Sequence, residues 1–367
     1  MILFAYSSLL AAGLTGFLAL LWVPNQRLTA LTWGALAVVT GRWSDPAGRR
    51  LRRRQPRRVS FRQAAAAGHP PGTSHWRRRR AKFLLRGWLR RRDTSGWLER
   101  LAEPDAKSLW TIRPRLGSKL QRPYVNRRWG ARARLEALIA HYDTLSEHIA
   151  GSVRESIYRD GITLLRIAAL GTPALGAEDP ANWALEAKLA YRDQFEKEGE
   201  LTLLVEDPAT GLALAGLTFC ICGGRGAREF WIGGLQASPD PRVRGLIRDA
   251  TKHLHGMRPK ALAVWLLQEL ARDWGIGRIR AVSDQVHIYR HWHKRRPIAA
   301  TYDEFWTECC GAPIAEGGWE LPLAMPVRPR EELKPSRRRA HELRYAMLAE
   351  FKALVSARCR ALAQGVS

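Results

Sequence analysis

The feature that most constrains the fold is a run of short apolar segments, joined by tight turns, in the middle of the chain. The segments are rich in Leu, Val, Ile, Thr and Phe, as strands are, and they are ITLLRIAAL from Ile162, Glu200–Asp207, Gly211–Cys222 and Arg228–Ala237. Turn-forming residues occupy Asp207–Gly211 and Gly223–Gly226. Because such short links join strands in opposite directions, the pattern predicts an antiparallel meander. The stretch Ala181–Phe195 fits a strand or a helix.

The hydrophobic period changes to that of a helix after Ala237. Helices are predicted at Val243–Leu254 and Pro259–Trp274, followed by a strand at Arg278–Asp284 and a short basic helix at 285–295. Antiparallel strands followed by helix, strand and helix predict an α/β (α+β) fold. We expect a central, mostly antiparallel sheet with flanking helices.

A helical region precedes the strands. In residues 98–154, apolar side chains recur at spacings of three and four, and Pro114 and Pro123 predict an extended segment between helices. Farther upstream, the segment Trp76–Trp97 places apolar side chains on one helix face and arginines on the other; the apolar ones include Leu84, Trp88 and Leu89. This pattern is typical of an amphipathic helix at a membrane surface. A solvated docking helix and a nucleic-acid contact are the alternatives.

The first hundred residues carry 20 basic and 3 acidic side chains, which is most of the chain's net charge of +26. Residues 1–26 hold no charged side chain, and a run of that length is enough for a membrane-spanning helix. The arginines that follow place the rest of the chain on the cytoplasmic side if the run spans. Residues 42–80 have a composition that predicts disorder. The extension is either a membrane anchor with a polybasic linker for anionic lipid or a misassigned start.

The strand and helix order resembles the core of the GNAT acyltransferases. Residues 257–292 are similar to the GNAT pattern of helix, A-x-x-x-G, strand, polar residue and tyrosine-bearing helix. In that fold, backbone amides at a helix N-terminus hold the pyrophosphate of acyl-CoA. The resemblance implies a site for acyl-CoA, or for an acyl carrier protein, at His255, Gly256, Arg258 and Lys260. It places three catalytic candidates near the thioester, Asp284, His287 and Tyr289. The glycine-rich R/Q-x-x-G-x-G/A loop of that fold is absent from this sequence.

A substrate pocket is predicted from Gly234, Gln236, Tyr302, Asp303 and Trp306. The pair Gly233–Gly234 marks a strand bulge, and the aromatic residues suit a pocket or the core equally. His287 is a candidate general base or a structural histidine. His287 and His291 share a helix face, but the basic residues beside them repel a cation, so no metal is predicted. An anion site is predicted instead from Arg258, Lys260, Arg290, Lys294, Arg295 and Arg296.

Several ordered motifs resemble the VirK/YbjX family of bacterial proteins, whose biochemical activity is unassigned. They are IGGLQA at Ile232–Ala237, TKHLHGMRPK at Thr251–Lys260, AVSDQVH at Ala281–His287 and YDEFW at Tyr302–Trp306. The resemblance runs from about Lys82 to Tyr345. It implies an envelope- or virulence-related role in Gram-negative bacteria, with links to antimicrobial-peptide resistance and to the DNA-damage response. It assigns no catalytic residue.

Three segments are therefore predicted: an extension at 1–75, a basic helical region at 76–155, and a GNAT-like α/β domain with a C-terminal helix at 156–355. The leading hypothesis is an acyltransferase that acts on an envelope precursor at the cytoplasmic face of the inner membrane. The alternative is a non-catalytic envelope or stress-response factor whose basic surface binds anionic lipid, nucleic acid or a protein partner. Charge alone predicts only non-specific nucleic-acid binding. The predicted location is the cytoplasm, in association with the inner membrane.

Overall fold

The computed structural model describes residues 59–168, 183–290 and 301–366 of the chain. Within these ranges, eight strands form one sheet in the order β1-β2-β3-β4-β5-β6-β8-β7. The strands are β1 Ile162–Ala168, β2 Ala184–Ala190, β3 Leu201–Asp207, β4 Leu212–Cys222, β5 Glu229–Gln236, β6 Arg278–Val282, β7 Ala312–Ile314 and β8 Gly318–Leu321. Neighbouring strands pair antiparallel, apart from β5 and β6, which run parallel.

The predicted meander is confirmed, because β1 to β5 pair in the order in which they follow along the chain. The stretch that fitted a strand or a helix forms β2, followed by a short 3-10 helix at Asp193–Phe195. Alternate side chains of β2 are buried, namely Leu185, Ala187 and Leu189. This period of two is the signature of a strand with one face on the core.

Helices precede the sheet, as predicted. They are α1 Phe61–Gly68, α2 Trp76–Leu89, α3 Arg91–Leu101, α4 Pro104–Ile112, α5 Ala131–His148 and α6 Gly151–Arg159, with a 3-10 helix at Pro114–Gln121. Helix α5 packs on β4, and it buries Leu135, Leu138, Tyr142 and Leu145 at the predicted spacing. The helical region and the sheet therefore share one core.

Two local predictions in the helical region are wrong. The segment between Pro114 and Pro123 is 3-10 helical up to Gln121 rather than extended, since proline is tolerated in a first helical turn. The single amphipathic helix predicted for Trp76–Trp97 is interrupted at Arg90, whose backbone is not helical (φ −122°, ψ 43°). Helices α2 and α3 are separate for that reason.

Part of the stretch predicted to be disordered is helical. The Ser60 hydroxyl accepts a hydrogen bond from the Gln63 backbone (3.2 Å), and the Gln63 side chain accepts one from the Ser60 backbone (3.0 Å). This capping box starts α1, which buries Ala64 and Ala65 and packs on the 3-10 helix Pro114–Gln121. Composition was a poor guide here because small alanine side chains let a short helix dock closely. The apolar run and the arginine run of residues 1–58 lie outside the described residues.

Helices α7 Val243–His253 and α8 Pro259–Asp273 connect the parallel strands β5 and β6, at the predicted positions. Helix α9 Tyr302–Glu308 precedes the hairpin of β7 and β8, and α10 Pro335–Gln364 packs on α8 and β1. The predicted fold class, an α/β (α+β) fold with a mostly antiparallel sheet and flanking helices after a helical N-terminal region, is confirmed. Among the described residues, no helix combines the length and the apolar character needed to cross a membrane.

The basic helix predicted for 285–295 is not formed over 285–290. The backbone N–H of Arg127 donates to the Val286 carbonyl group (2.9 Å), and His287 pairs with Asn126 in an isolated antiparallel bridge. This pairing with a distant segment replaces the local hydrogen bonds of a helix. Residues 291–295 lie outside the described residues.

Candidate active site

Three glutamates at alternate positions lie just before β3, and all three are buried: Glu196, Glu198 and Glu200. The segment lies close against the sheet, because a Cβ on Gly199 would come within 2.5 Å of the Phe219 carbonyl oxygen in β4. The three side chains have different partners. Glu196 and Glu200 contact basic residues, whereas Glu198 reaches β5.

A bulge in β5 makes room for Glu198. In the pairing with β4 the register shifts between Ile232 and Gly234, so Gly233 is the extra residue. A Cβ on Gly233 would overlap the carbonyl oxygen of Glu198, and a Cβ on Gly234 would overlap its carboxylate. The pairing of β5 with β6 also ends at Ile232. Glu198 therefore lies beside the predicted bulge, at the point where the two parallel strands stop pairing.

The carboxyl group of Glu198 accepts a hydrogen bond from an amide and lies near an imidazole. Nε2 of Gln236 donates to Oε2 of Glu198 (2.9 Å), and Nε2 of His287 lies 3.6 Å from its Oε1. Burial raises the pKa of the Glu198 carboxyl to about 8, and the Gln236 hydrogen bond acts in the opposite direction. A carboxyl with this pKa exchanges its proton near neutral pH, as a general acid or base requires.

His287 is placed so that its ring faces Glu198 in the neutral form. Its Nδ1 accepts a hydrogen bond from the Tyr289 backbone (3.3 Å), so we assign the ring proton to Nε2, the nitrogen nearer Glu198. The ring stacks on Tyr302 at 5.1 Å. Burial lowers the pKa of His287 to about 4, against a smaller opposing effect of the Gly233 carbonyl group. At neutral pH, the His287 ring is therefore uncharged and a weak proton acceptor.

Two tyrosines flank the pair of Glu198 and His287. The Tyr302 hydroxyl accepts a hydrogen bond from the Leu235 backbone (3.4 Å), and burial raises its pKa far above the ordinary value. Tyr289 is 36% exposed, and burial followed by the charge of Glu198 raises its pKa to about 12. Tyr289 also lines an open cavity of about 460 Å³. Tyr289 is therefore open to the cavity and close enough to Glu198 to feel its charge.

Asp284, Asp303 and Trp306 hold the backbone around this site. Asp284 accepts a hydrogen bond from the Tyr302 backbone at the start of α9 (3.1 Å). Asp303 accepts one from the Asp284 backbone (3.2 Å) and one from the Trp319 indole (2.7 Å). The Trp306 indole, fully buried, donates to a carbonyl group of β6 (2.9 Å). Together these contacts fix β6, α9 and β8 relative to His287.

The loop predicted to bind a cofactor connects α7 to α8 and contains His255, Gly256, Arg258 and Lys260. Arg344 of α10 donates twice to the His255 carbonyl group (3.0 and 2.7 Å). Arg258 forms an ion pair with Glu308, the last residue of α9. Because Tyr302 begins α9, the loop and the Glu198 site lie at opposite ends of that helix. The structure thus brings together Gly234, Gln236, His287, Tyr289 and Tyr302, and it places the predicted cofactor loop apart from them.

A second buried carboxylate anchors the helical region to the sheet. Lys119 of the 3-10 helix lies 2.6 Å from Glu200, and the side chains are 2% and 0% exposed. The Tyr142 hydroxyl of α5 donates to the other oxygen of Glu200 (3.0 Å). Glu196 beside it accepts from Arg115 and Arg122 (2.6 and 2.5 Å). These contacts join the 3-10 helix and α5 to the start of β3.

The predicted anion site and the His287–His291 pair depend on residues 291–296, which lie outside the described residues. Within 59–168, 183–290 and 301–366, no group of three His, Cys, Asp or Glu side chains is arranged to hold a metal ion.

Fold and site together define an α/β protein with a buried carboxyl, whose pKa is raised, where two parallel strands stop pairing. The chain belongs to the DUF535 family, whose model, described as a protein of unknown function, matches residues 72–357. It is 33% identical over 279 residues to the uncharacterized protein YbjX of Escherichia coli K12, covering 74% of this chain and 82% of that protein. The predicted VirK/YbjX membership is confirmed.

A shorter match is to an uncharacterized protein of Haemophilus influenzae, 32% identical over 120 residues, which covers 33% of this chain and 40% of that protein. No solved structure is significantly similar to this chain.

Glu198 and the Lys119–Glu200 pair are missing from the site predicted by sequence. The stretch EKEGE, residues 196–200, has the appearance of a solvated turn. One signal was available: three glutamates directly precede a strand whose residues are almost all buried, so their side chains approach the core.

Proposed function

We propose that this protein is an acyltransferase in which Glu198 accepts the proton of the attacking nucleophile. The supporting observation is the placement of a buried carboxyl, with a pKa of about 8, where β5 and β6 stop pairing. The bulge at Gly233 beside it interrupts the pairing of β5 with β4, which leaves backbone groups for a ligand. In a GNAT-like fold, this bulge would expose backbone amides to a ligand.

The proposed reaction moves an acyl group from a thioester, carried by coenzyme A or by an acyl carrier protein, to an amine or hydroxyl group. The acceptor nitrogen or oxygen bonds to the thioester carbonyl carbon while its proton moves to the Glu198 carboxylate. The C–S bond then breaks, and the thiolate takes a proton from the Tyr289 hydroxyl, which regains one from water. The proton on Glu198 returns to solvent.

Gln236 and His287 act as positioning residues in this scheme. Gln236 fixes one oxygen of Glu198 (2.9 Å), and the ring of His287, stacked on Tyr302, faces the other. His287 was the predicted general base, but its pKa of about 4 makes it a weaker proton acceptor than Glu198. We therefore assign the base to Glu198.

The test is release of free thiol from acetyl-CoA, octanoyl-CoA and octanoylated acyl carrier protein by the full chain, with a bacterial envelope extract as the source of acceptors. We expect Glu198→Gln to lower the rate about 100-fold or more, because an amide cannot accept the proton. The control is Glu155→Gln, which changes the same residue type at a half-buried position paired with Arg159. It should leave the rate unchanged.

The pH profile separates a base from a merely structural carboxyl. If Glu198 must be deprotonated, the wild-type rate should rise as pH approaches 8 and level off above it. A rate that survives Glu198→Gln, or no thioester turnover with any of the donors, would overturn the proposal.

A second function, contact with an anionic membrane surface, has an observation of its own. Trp88 and Leu89, at the end of α2, are 57% and 65% exposed, and Arg90, Arg91 and Arg92 follow them. Exposed aromatic and apolar side chains among arginines are typical of interfacial binding. This contact would bring an envelope precursor to the enzyme, or would itself be the activity of a non-catalytic factor.

Co-sedimentation with phosphatidylglycerol vesicles tests the membrane contact. The double substitution Trp88→Ser and Leu89→Ser should lower binding several-fold, because apolar insertion is lost while all charges remain. The control substitution Leu323→Ser removes an apolar side chain that is 46% exposed elsewhere on the chain. Equal binding by both variants would count against the contact.

A further inference from the structure

The cavity beside Tyr289 has strongly basic walls. It measures about 460 Å³ and lies between α2, the 3-10 helix Pro114–Gln121 and the segment before β3. Its basic lining residues are Arg79, Lys82, Arg86, Arg115, Arg122 and Lys197. None of them belongs to the anion site that the sequence predicts, because that site uses residues after β5.

The acidic residues on the cavity walls do not cancel this charge. Glu196 is shared by Arg115 and Arg122, and Asp193 pairs with Arg113, which does not line the cavity. Arg79 and Lys82 make no ion pair with any residue that the structure describes. A cationic surplus in a concave site attracts an anion.

Two further observations agree with an anion site. His69, on the cavity wall, has its pKa lowered to about 4 by burial and then by the positive charges of Arg122 and Arg79. Gln121, also on the wall and 8% exposed, has an amide nitrogen with no acceptor among the described residues. A buried donor of this kind suits an oxygen of a bound anion.

We propose that this cavity binds the phosphate group of a substrate or donor and so brings the attached group to Tyr289 and Glu198. Guanidinium groups match phosphate oxygens in geometry and charge, and the volume suits a small phosphorylated molecule or one lipid headgroup. The inference that the ligand carries a phosphate group depends on the cavity lining alone. The delivery of that ligand to Glu198 rests on the proposed function.

Calorimetry on the full chain, with coenzyme A and with glycerol 3-phosphate as probes, tests the binding of a soluble phosphate ligand. Flotation with phosphatidylglycerol vesicles tests a lipid headgroup as the source. The double substitution Arg79→Gln and Lys82→Gln should lower affinity for the bound probe about tenfold or more. The matched control is Arg77→Gln with Arg78→Gln, which removes equal charge from the same helix outside the cavity, and it should change affinity less than about twofold.

The outcomes separate the two proposals. Binding that survives Glu198→Gln but is lost in the cavity double variant supports the phosphate site, whether or not thioester turnover is seen. Absence of turnover with intact binding defeats the proposed function alone. Equal loss in the cavity and control variants, or no binding of any probe at millimolar concentration, overturns the phosphate site.

Discussion

Glu198 and Glu200 lie two residues apart, but they are buried in different surroundings. Glu200 faces Lys119 at 2.6 Å and a tyrosine hydroxyl at 3.0 Å. Glu198 faces an amide at 2.9 Å and a neutral imidazole at 3.6 Å. A cation within an ion pair stabilises the charged carboxylate, whereas burial beside neutral partners favours the protonated form. Burial alone therefore does not distinguish a structural carboxyl from one suited to proton transfer, but the charge of its partners does.

The two carboxyls also serve different parts of the molecule. The Glu200 cluster, which comprises Glu200, Lys119 and Tyr142, joins the 3-10 helix and α5 to β3. The Glu198 cluster, which comprises Glu198, Gln236 and His287, lies where β5 and β6 part. We expect the first cluster to determine stability and the second to determine chemistry.

The largest loss of stability is expected from a substitution that breaks the Glu200 cluster. Lys119→Met leaves Glu200 buried without its counter-charge, so the free energy of unfolding should fall by about 3–5 kcal/mol. Chemical denaturation measures this change. The control Arg132→Met breaks an exposed pair, Arg132–Glu136, and should lower the free energy of unfolding by less than about 1 kcal/mol.

The double substitution Lys119→Met with Glu200→Leu removes both charges, and it should be more stable than Lys119→Met alone. A loss below about 1 kcal/mol for Lys119→Met would show that Glu200 is not held by this ion pair, and the contrast with Glu198 would disappear.

Sequence patterns located the sheet well because its strands have local signals. The segments ending at Asp207 and Cys222 are bounded by turns and rich in strand-forming residues, and the structure places β3 and β4 there. The helix predicted after β6 is not formed over 285–290, where His287 pairs with Asn126, a residue 161 positions earlier in the chain. A local sequence pattern carries no information about a contact between such distant residues.

The candidate site was only partly predictable for the same reason. Gln236, His287 and Tyr302 were singled out by their place after a strand or in a family-like motif, and they do lie together. Glu198 is brought to them by the docking of a turn onto the bulge at Gly233. The raised pKa of Glu198 depends on the burial of its side chain. The charged sequence of residues 196–200 does not reveal that burial.

An effect of similar size on the free energy of unfolding, but of the opposite sign, is expected from replacing Glu198 at alkaline pH. The folded pKa of about 8 lies above the unfolded value of about 4.3. Between these values the folded state binds more protons, so its stability falls as pH rises, and no further loss occurs above pH 8. Glu198→Gln lacks this titration. It should match wild type near pH 4 and exceed its stability by an amount on the order of a few kcal/mol at pH 8–9.

Denaturation curves at several pH values measure this difference, with Glu155→Gln as the control that should follow wild type. A Glu198→Gln variant that is less stable than wild type at pH 9 would mean that the carboxylate is stabilised when folded, as in an ion pair. The expected result, by contrast, is a variant that gains stability while losing turnover, which is characteristic of a group kept for function.

The smallest change in the free energy of unfolding is expected at Gly234, the glycine that faces the Glu198 carboxylate. A Cβ on Gly234 meets the end of the Glu198 side chain, so Gly234→Ala should lower the free energy of unfolding by about 1–3 kcal/mol. In a Glu198→Ala background this contact is absent, so Gly234→Ala should lower the free energy of unfolding by a smaller amount. Gly233→Ala is the control, because its Cβ meets the Glu198 carbonyl oxygen, which the background does not remove. Gly234→Ala could instead lower the free energy of unfolding equally in both backgrounds. That result would show that the Glu198 carboxylate does not contact Gly234, because only such a contact couples the two positions.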